Sequence, residues 1–176
     1  MIIFSKSDVL SELKQWRIDD LTYQKHLLNL KTGVAEPEPL QICWDIYNDL
    51  ILSSTSEKKY SQLSRLYFSM ALLSDRTDNQ KTRKYLELSQ YWNLIGFQKS
   101  GLFSVGYRSV KISASSNSCR ACQSQDSQIY TVQEALEKMP LPHKECSYTL
   151  NEQPGFCRCE YELLQSAENK VEIERI

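Results

Sequence analysis

An excess of charge of either sign is missing from this chain: 21 lysines and arginines stand against 22 aspartates and glutamates, a formal net charge of −1. Non-specific binding to nucleic acid or to an anionic membrane draws on a clear Lys/Arg excess, so neither is expected. Long apolar runs are missing too. The opening MIIFSKSDVLSELKQW meets Ser5, Lys6 and Asp8 well before a signal-peptide core could form, and no later run approaches the roughly 18 residues of a membrane span. The expectation is a cytoplasmic protein with no membrane partner. Histidine is scarce, at two residues, which counts against a His-rich hydrolytic or nuclease centre.

What is present begins with helices. A length of 176 residues suits one compact domain or a medium domain with a small appendage, and residues 1–101 read as helix after helix. A first is predicted from about Ser7 to Trp16, with Val9, Leu13 and Trp16 on one face and Ser5 or Ser7 as N-cap. Asp19 or Asp20 caps a second, carrying Leu21, Leu27, Leu28 and Leu30 and stopped by Gly33. After the connector GVAEPEP, with Pro37 or Pro39 in the first turn, Leu40, Cys43, Trp44, Tyr47, Leu50 and Ile51 form an amphipathic stripe that SSTSEKKY interrupts. Cys43 stands alone there and reads as a small core hydrophobe. Tyr60, Leu63, Leu66, Tyr67, Met70 and Leu73 repeat the stripe, and Tyr85, Leu88, Tyr91, Trp92 and Ile95 carry it to Gly101. The aromatic members read as core rather than as a ligand groove. The stretch from Glu57 to Gly101, with YSQLSRLYFSMALL and YLELSQYWNLIGF, loosely resembles a tetratricopeptide-type helical hairpin, although no second copy follows at a fixed period.

The pattern changes after Gly101. In LFSVGYRSVKISAS, Val105, Tyr107, Val110 and Ile112 fit two short strands or one bulged strand around Gly106. SQIYT is a further strand candidate. Thr131 and Glu134 make a T-x-x-E capping box for a helix from Val132 to about Met139, ended by Pro140 and Pro142. GFCRCEYELL reads as a last strand and QSAENKVEIERI as a charged tail. Residues 102–176 thus form a small α+β unit beside the helical bundle of 1–101. Units of that size usually need a metal, a disulfide or a larger partner domain.

Five of the six cysteines fall inside it. Cys119 and Cys122 form C-x₂-C, the spacing that lets two thiolates chelate one ion from a tight turn. His143 and Cys146 form H-x₂-C, and Cys157 and Cys159 form C-x-C. In a reducing compartment such clusters ligate metal more often than they form disulfides. A structural Zn²⁺ takes four N or S ligands, so two of the six candidates are spare. Our assignment is Cys119, Cys122, Cys146 and Cys157, with His143 and Cys159 as substitutes. Both sulfurs of C-x-C project to one side of a strand, but adjacent ligands crowd one tetrahedron, so one of the pair is expected to pack beside the ion. A redox C-x-x-C would sit at a helix N-terminus after a strand; here helix-poor QSQDSQ follows Cys122.

The string from VKISASSNSCRAC to GFCRC also resembles the carboxy-terminal cysteine motif of the phage minor head (head morphogenesis) protein family. The matching positions are Cys119, Cys122, Tyr130, Glu134, Ala135, Leu141, Pro142, His143, Cys146, Arg158 and Cys159. The family's H-P-x-C-R-C is continuous, whereas SYTLNEQPGF here separates HKEC from CRC, and Ser127 replaces the expected turn glycine. The resemblance implies a metal knuckle. The leading functional expectation is a non-enzymatic zinc-binding interaction or scaffold protein with a protein partner. A phage or prophage head-assembly protein is the alternative, and a metal- or thiol-dependent enzyme a further one.

Overall fold

A computed structural model describes residues 4–31, 37–75, 78–147, 149–150, 153–154 and 157–165. Among these the chain forms eight helices and five short strands, the α+β class expected. It divides into two compact units, Met1–Lys59 and Tyr60–Ile176. Position 101, where the sequence pattern changes character, falls inside the second unit. The tail from residue 166, like Gly33, lies outside the described residues.

The first unit is three helices, α1 (Lys6–Lys14), α2 (Asp20–Leu30) and α3 (Pro39–Ser56). Ser5 and Asp8 form a reciprocal capping box on α1, and Asp19 accepts the Thr22 N–H at 2.9 Å to cap α2. Val9, Leu13, Ile42, Cys43, Ile46 and Tyr47 are buried. On α2 the four leucines divide: Leu27 and Leu30 are half-buried, Leu21 and Leu28 are 77% and 68% exposed, and the buried residue is Tyr23. On the Tyr23 side of α2, His26 Nδ1 lies 2.6 Å from Asp45 Oδ2 of α3. Tyr47 on α3 likewise donates its hydroxyl to Glu12 of α1 at 2.7 Å. The helix runs through the serine-rich stretch to Ser56, where the Thr55 and Ser56 hydroxyls donate back to the Ile51 and Ser53 carbonyls, each at 2.8 Å.

In the second unit α4 (Tyr60–Ser74) and α5 (Asn79–Lys99) pack together as a helical hairpin. Aromatic rings stack along its seam, Tyr60 on Trp92 at 6.2 Å and Tyr67 on Tyr85 at 6.4 Å. Next comes the short helix α6 (Gly101–Ser104), where Val105 and Tyr107 had suggested strand. It closes by the Tyr107 N–H donating to the Leu102 carbonyl and Gly106 to Phe103, with Gly106 at φ 102°. The left-handed turn aims the chain into β1 (Ser109–Ser113).

Three antiparallel strands make the main sheet, in the order β2 (Ile129–Thr131), β1, β5 (Glu160–Leu164). The helical turn α7 (Arg120–Gln123) falls between β1 and β2, and α8 (Val132–Lys138) follows β2. Thr149–Leu150 (β3) and Gln153–Pro154 (β4) pair separately. The last strand begins at Glu160, so Cys157 and Cys159 precede it rather than belonging to it. β1 alternates cleanly, with Val110 and Ile112 buried against Tyr161 of β5, Val132 and Ala135 of α8, and Leu94 of α5. Among the described residues no helix is long and apolar enough to cross a membrane.

Two expectations follow from this packing. A Cβ on Gly96 of α5 would meet the Tyr60 Cβ at 3.5 Å, ordinary van der Waals contact. Gly96→Ala should therefore stabilise the protein by about 0.5–1 kcal/mol, the helix-interior difference between the two residues, read from a urea midpoint; a lower midpoint would mean the seam is tighter than described. Burial, helped by the Glu12 carboxylate, pushes the Cys43 thiol up to about 12. Thiolate is the nucleophile, so at pH 8 iodoacetamide should leave Cys43 unlabelled in folded protein and label it in denaturant, as peptide mapping will show.

Candidate metal centre

The cysteines are delivered by three segments, each fixed by local hydrogen bonding. Cys119 and Cys122 ride on an excursion between β1 and β2 that is closed at its base. There Ser127 N–H donates to the Ile112 carbonyl at 2.8 Å, Ile112 N–H to the Gln128 carbonyl at 2.9 Å, and Ala114 N–H to Asp126 Oδ1 at 2.8 Å. Ser127 holds φ 62°, the left-handed conformation that favours glycine. Cys119 is the N-cap of α7, so the C-x₂-C pair itself spans a helical turn.

The second segment begins with α8. Its capping box is formed as expected, Glu134 N–H to Thr131 Oγ1 at 3.1 Å and Thr131 N–H to Glu134 Oε2 at 2.9 Å. The chain then passes Leu141, whose buried N–H donates to the Tyr161 hydroxyl at 3.3 Å. A turn from His143 to Cys146 closes by a 3.1 Å backbone bond, and Arg83 of α5 donates to the Lys144 carbonyl at 3.2 Å. The third segment, Cys157–Cys159, runs straight into β5. Gln90 of α5 donates its side-chain amide to the Cys159 carbonyl at 3.3 Å.

The five sulfurs converge as two overlapping trios, Cys119/Cys122/Cys146 and Cys122/Cys157/Cys159, the members of each within 4.8 Å of one another. Cys119 Sγ is 3.9 Å from Cys146 Sγ, and Cys122 Sγ is 3.7 Å from Cys157 Sγ. Cys122, Cys157 and Cys159 are buried, at 1%, 7% and 2% exposure, while Cys119 and Cys146 are half-buried. These clusters could hold a metal ion.

Electrostatics divides the thiols. Burial raises Cys119, but the N–H groups of Cys122 and Ser147 directed at its sulfur outweigh that and bring it down to about 7. The Cys159 thiol above all, together with the N–H groups of Cys159 and His143, draws Cys157 down to about 5 against its burial. Cys122 is pushed up by burial and then by the Cys157 charge, and Cys159 by its hydrogen bond to Cys157 and then by burial. Two thiolates are thus favoured by protein groups alone. A third would face a like charge within 4.8 Å in the same trio unless a cation joined it.

All five predicted cysteines are therefore brought together. His143 stands apart from both trios among the described residues: its Nδ1 accepts the Glu145 N–H at 3.2 Å, and its own backbone N–H reaches Cys157 Sγ at 3.4 Å. The supporting residues Arg83, Gln90 and Tyr161 were not read from sequence. Gln90 lies 69 residues from its partner and Arg83 61 from its own, separations that leave no local pattern. No family model, curated protein or solved structure matches the chain.

Tyr161→Phe should destabilise the second unit by about 1–3 kcal/mol, because the Leu141 N–H would be left buried without an acceptor. A urea midpoint equal to that of wild type would show that this hydrogen bond does not hold the approach to Cys146.

Proposed function

We propose that this chain is a non-enzymatic interaction or scaffold protein whose second unit is stapled by one structural Zn²⁺, held by Cys119, Cys122, Cys146 and Cys157. The observation that carries the reading is the pair of sulfur separations, 3.9 Å for Cys119–Cys146 and 3.7 Å for Cys122–Cys157. A tetrahedron with Zn–S bonds of about 2.3 Å has edges of about 3.8 Å, so each separation matches one such edge; Cys119, Cys122 and Cys146 are already mutually close, and Cys157, beside Cys122 but outside that trio, would close on an ion held by the three. Cys159, in contact with the same inner sulfurs, is the substitute for the fourth position, and His143 is the other. An all-thiolate set suits zinc by ligand softness and by geometry. The ion would supply a cross-link among three chain segments, and its binding free energy would be folding free energy.

Protein purified under reducing conditions should carry one zinc per chain by elemental analysis. A chelator should lower the melting temperature, Cys122→Ser should lose the metal, and His143→Ala should keep it. Absence of stoichiometric zinc would overturn the reading.

A second reading, a thiol oxidoreductase, draws on one observation: Cys119 is half-buried, sits at a helical N-cap, and has its thiol lowered to about 7. It requires protein that is zinc-free as isolated and a Cys119 that alkylates ahead of the other cysteines near neutral pH. One bound zinc per chain, protecting Cys119 from alkylation, excludes it.

A further inference from the structure

We propose that the five cysteines of the second unit form two corner-sharing thiolate sites, and that the metal-free centre accepts two Cu(I) ions, one in each trio, bridged by the Cys122 sulfur. The inference rests on the reading of these cysteines as metal-binding thiols. It does not rest on zinc being the resident ion.

A single tetrahedral ion uses four sulfurs, yet five are gathered. The fifth, Cys159, is only 2% exposed, and its sulfur lies within 4.8 Å of those of both Cys122 and Cys157. Its backbone carbonyl is fixed by Gln90 at 3.3 Å. The sulfurs sort into threes, not into a four and a remainder: each trio is mutually close, and Cys122 is their common corner. One edge of each trio is 3.9 or 3.7 Å and the others are within 4.8 Å; drawn in to equal edges of the shorter length, a trio has its centre roughly 2.2 Å from each corner, a metal–thiolate bond length. An ion at each centre would then meet three sulfurs, with Cys122 serving both.

Ion chemistry selects the occupant. Zn²⁺ takes four ligands, so a trio alone leaves it one short. Soft thiolates favour Cu(I) among the first-row ions, and this singly charged d¹⁰ ion is satisfied by three thiolates in a plane. A thiolate retains lone pairs enough to bridge two such ions. No electron moves in the binding step: each Cu(I) forms bonds to sulfur, and the thiol protons displaced go to solvent. The burial of Cys122, Cys157 and Cys159 keeps water from the inner ion.

The test titrates reduced, metal-free, full-length protein with Cu(I) under anaerobic conditions, supplied as its acetonitrile complex against bicinchoninate as competitor. Wild type should take two Cu(I) per chain, with three sulfurs around each copper by X-ray absorption. Cys159→Ser should take one, and zinc uptake by the same variant should stay at one per chain. Cys146→Ser, which alters the half-buried trio, should also take one Cu(I) and serves if Cys159→Ser does not fold. One Cu(I) in wild type, two retained in either variant, or two-coordinate copper would each overturn the proposal. A chain that binds one zinc and one Cu(I) keeps the zinc reading and loses this one; a chain that binds two Cu(I) and no zinc does the reverse.

Discussion

Cys122 is the one sulfur shared by both trios among the described residues, and the second unit depends on what meets there. Its neighbours are remote in sequence: 35 residues separate Cys122 from Cys157, and 27 separate Cys119 from Cys146. Closing one loop of that length costs on the order of 3 kcal/mol in chain entropy. Against this stand a sheet with a five-residue central strand and an eighth helix of seven residues, which together bury little apolar surface. The sulfurs therefore sit where a larger domain would place leucine and valine, inside the cluster of Val110, Ile112 and Tyr161. Protonated, they pack as small hydrophobes; ionised around a cation, they become a cross-link. The same side chains that pack as core could serve as a ligand set.

Helix α5 is the other half of that economy. One of its faces stacks Tyr85 and Trp92 against α4, and another presents Leu94 to the sheet. Two polar side chains on the way, Arg83 and Gln90, take backbone carbonyls beside Cys146 and Cys159 as acceptors. A helix with work on two sides cannot show a single narrow apolar stripe, and buried Thr82 and Ser89 lie between. The cysteine segments thus lean on a 21-residue helix rather than building a core of their own.

Local rules were readable wherever the deciding partner lies within a few residues. The capping box at Thr131, the caps at Ser5 and Asp19, each one of two neighbouring candidates in the sequence, and the alternation of Val110 with Ile112 all depend on such neighbours. Legibility fails where rotation or termination is decided from afar. On α2 the inward residues include Tyr23 and His26, whose partner Asp45 is 19 residues away, and the leucines alone do not mark that face. α3 ends with Lys58 at φ 55° in the left-handed position usually given to glycine, and Arg17 at φ 59° does the same after α1, so composition marks neither end. Val105 and Tyr107 have β-forming side chains, yet Gly106 uses them to close a helical turn. In the candidate centre the five sulfurs were legible as a set because their chemistry is rare and clustered. Their division into trios was not, since it follows from how β5 and α5 bring Cys157 and Cys159 to Cys122.

A catalytic metal needs a coordination position open to water and a nearby acid or base. On the zinc reading, four sulfurs complete the tetrahedron, and a fifth stands beside Cys122 and Cys157, so a ligand that loosened would be replaced by another thiol before water could compete. The nearest carboxylate on the His143–Cys146 turn, Glu145, is exposed, and its backbone N–H is committed to the His143 ring. On that reading the ion acts once, at folding. On this reading specificity rests in the exposed faces that the staple holds in place, and the net charge of −1 fits a partner recognised by shape and apolar contact rather than by a strong field.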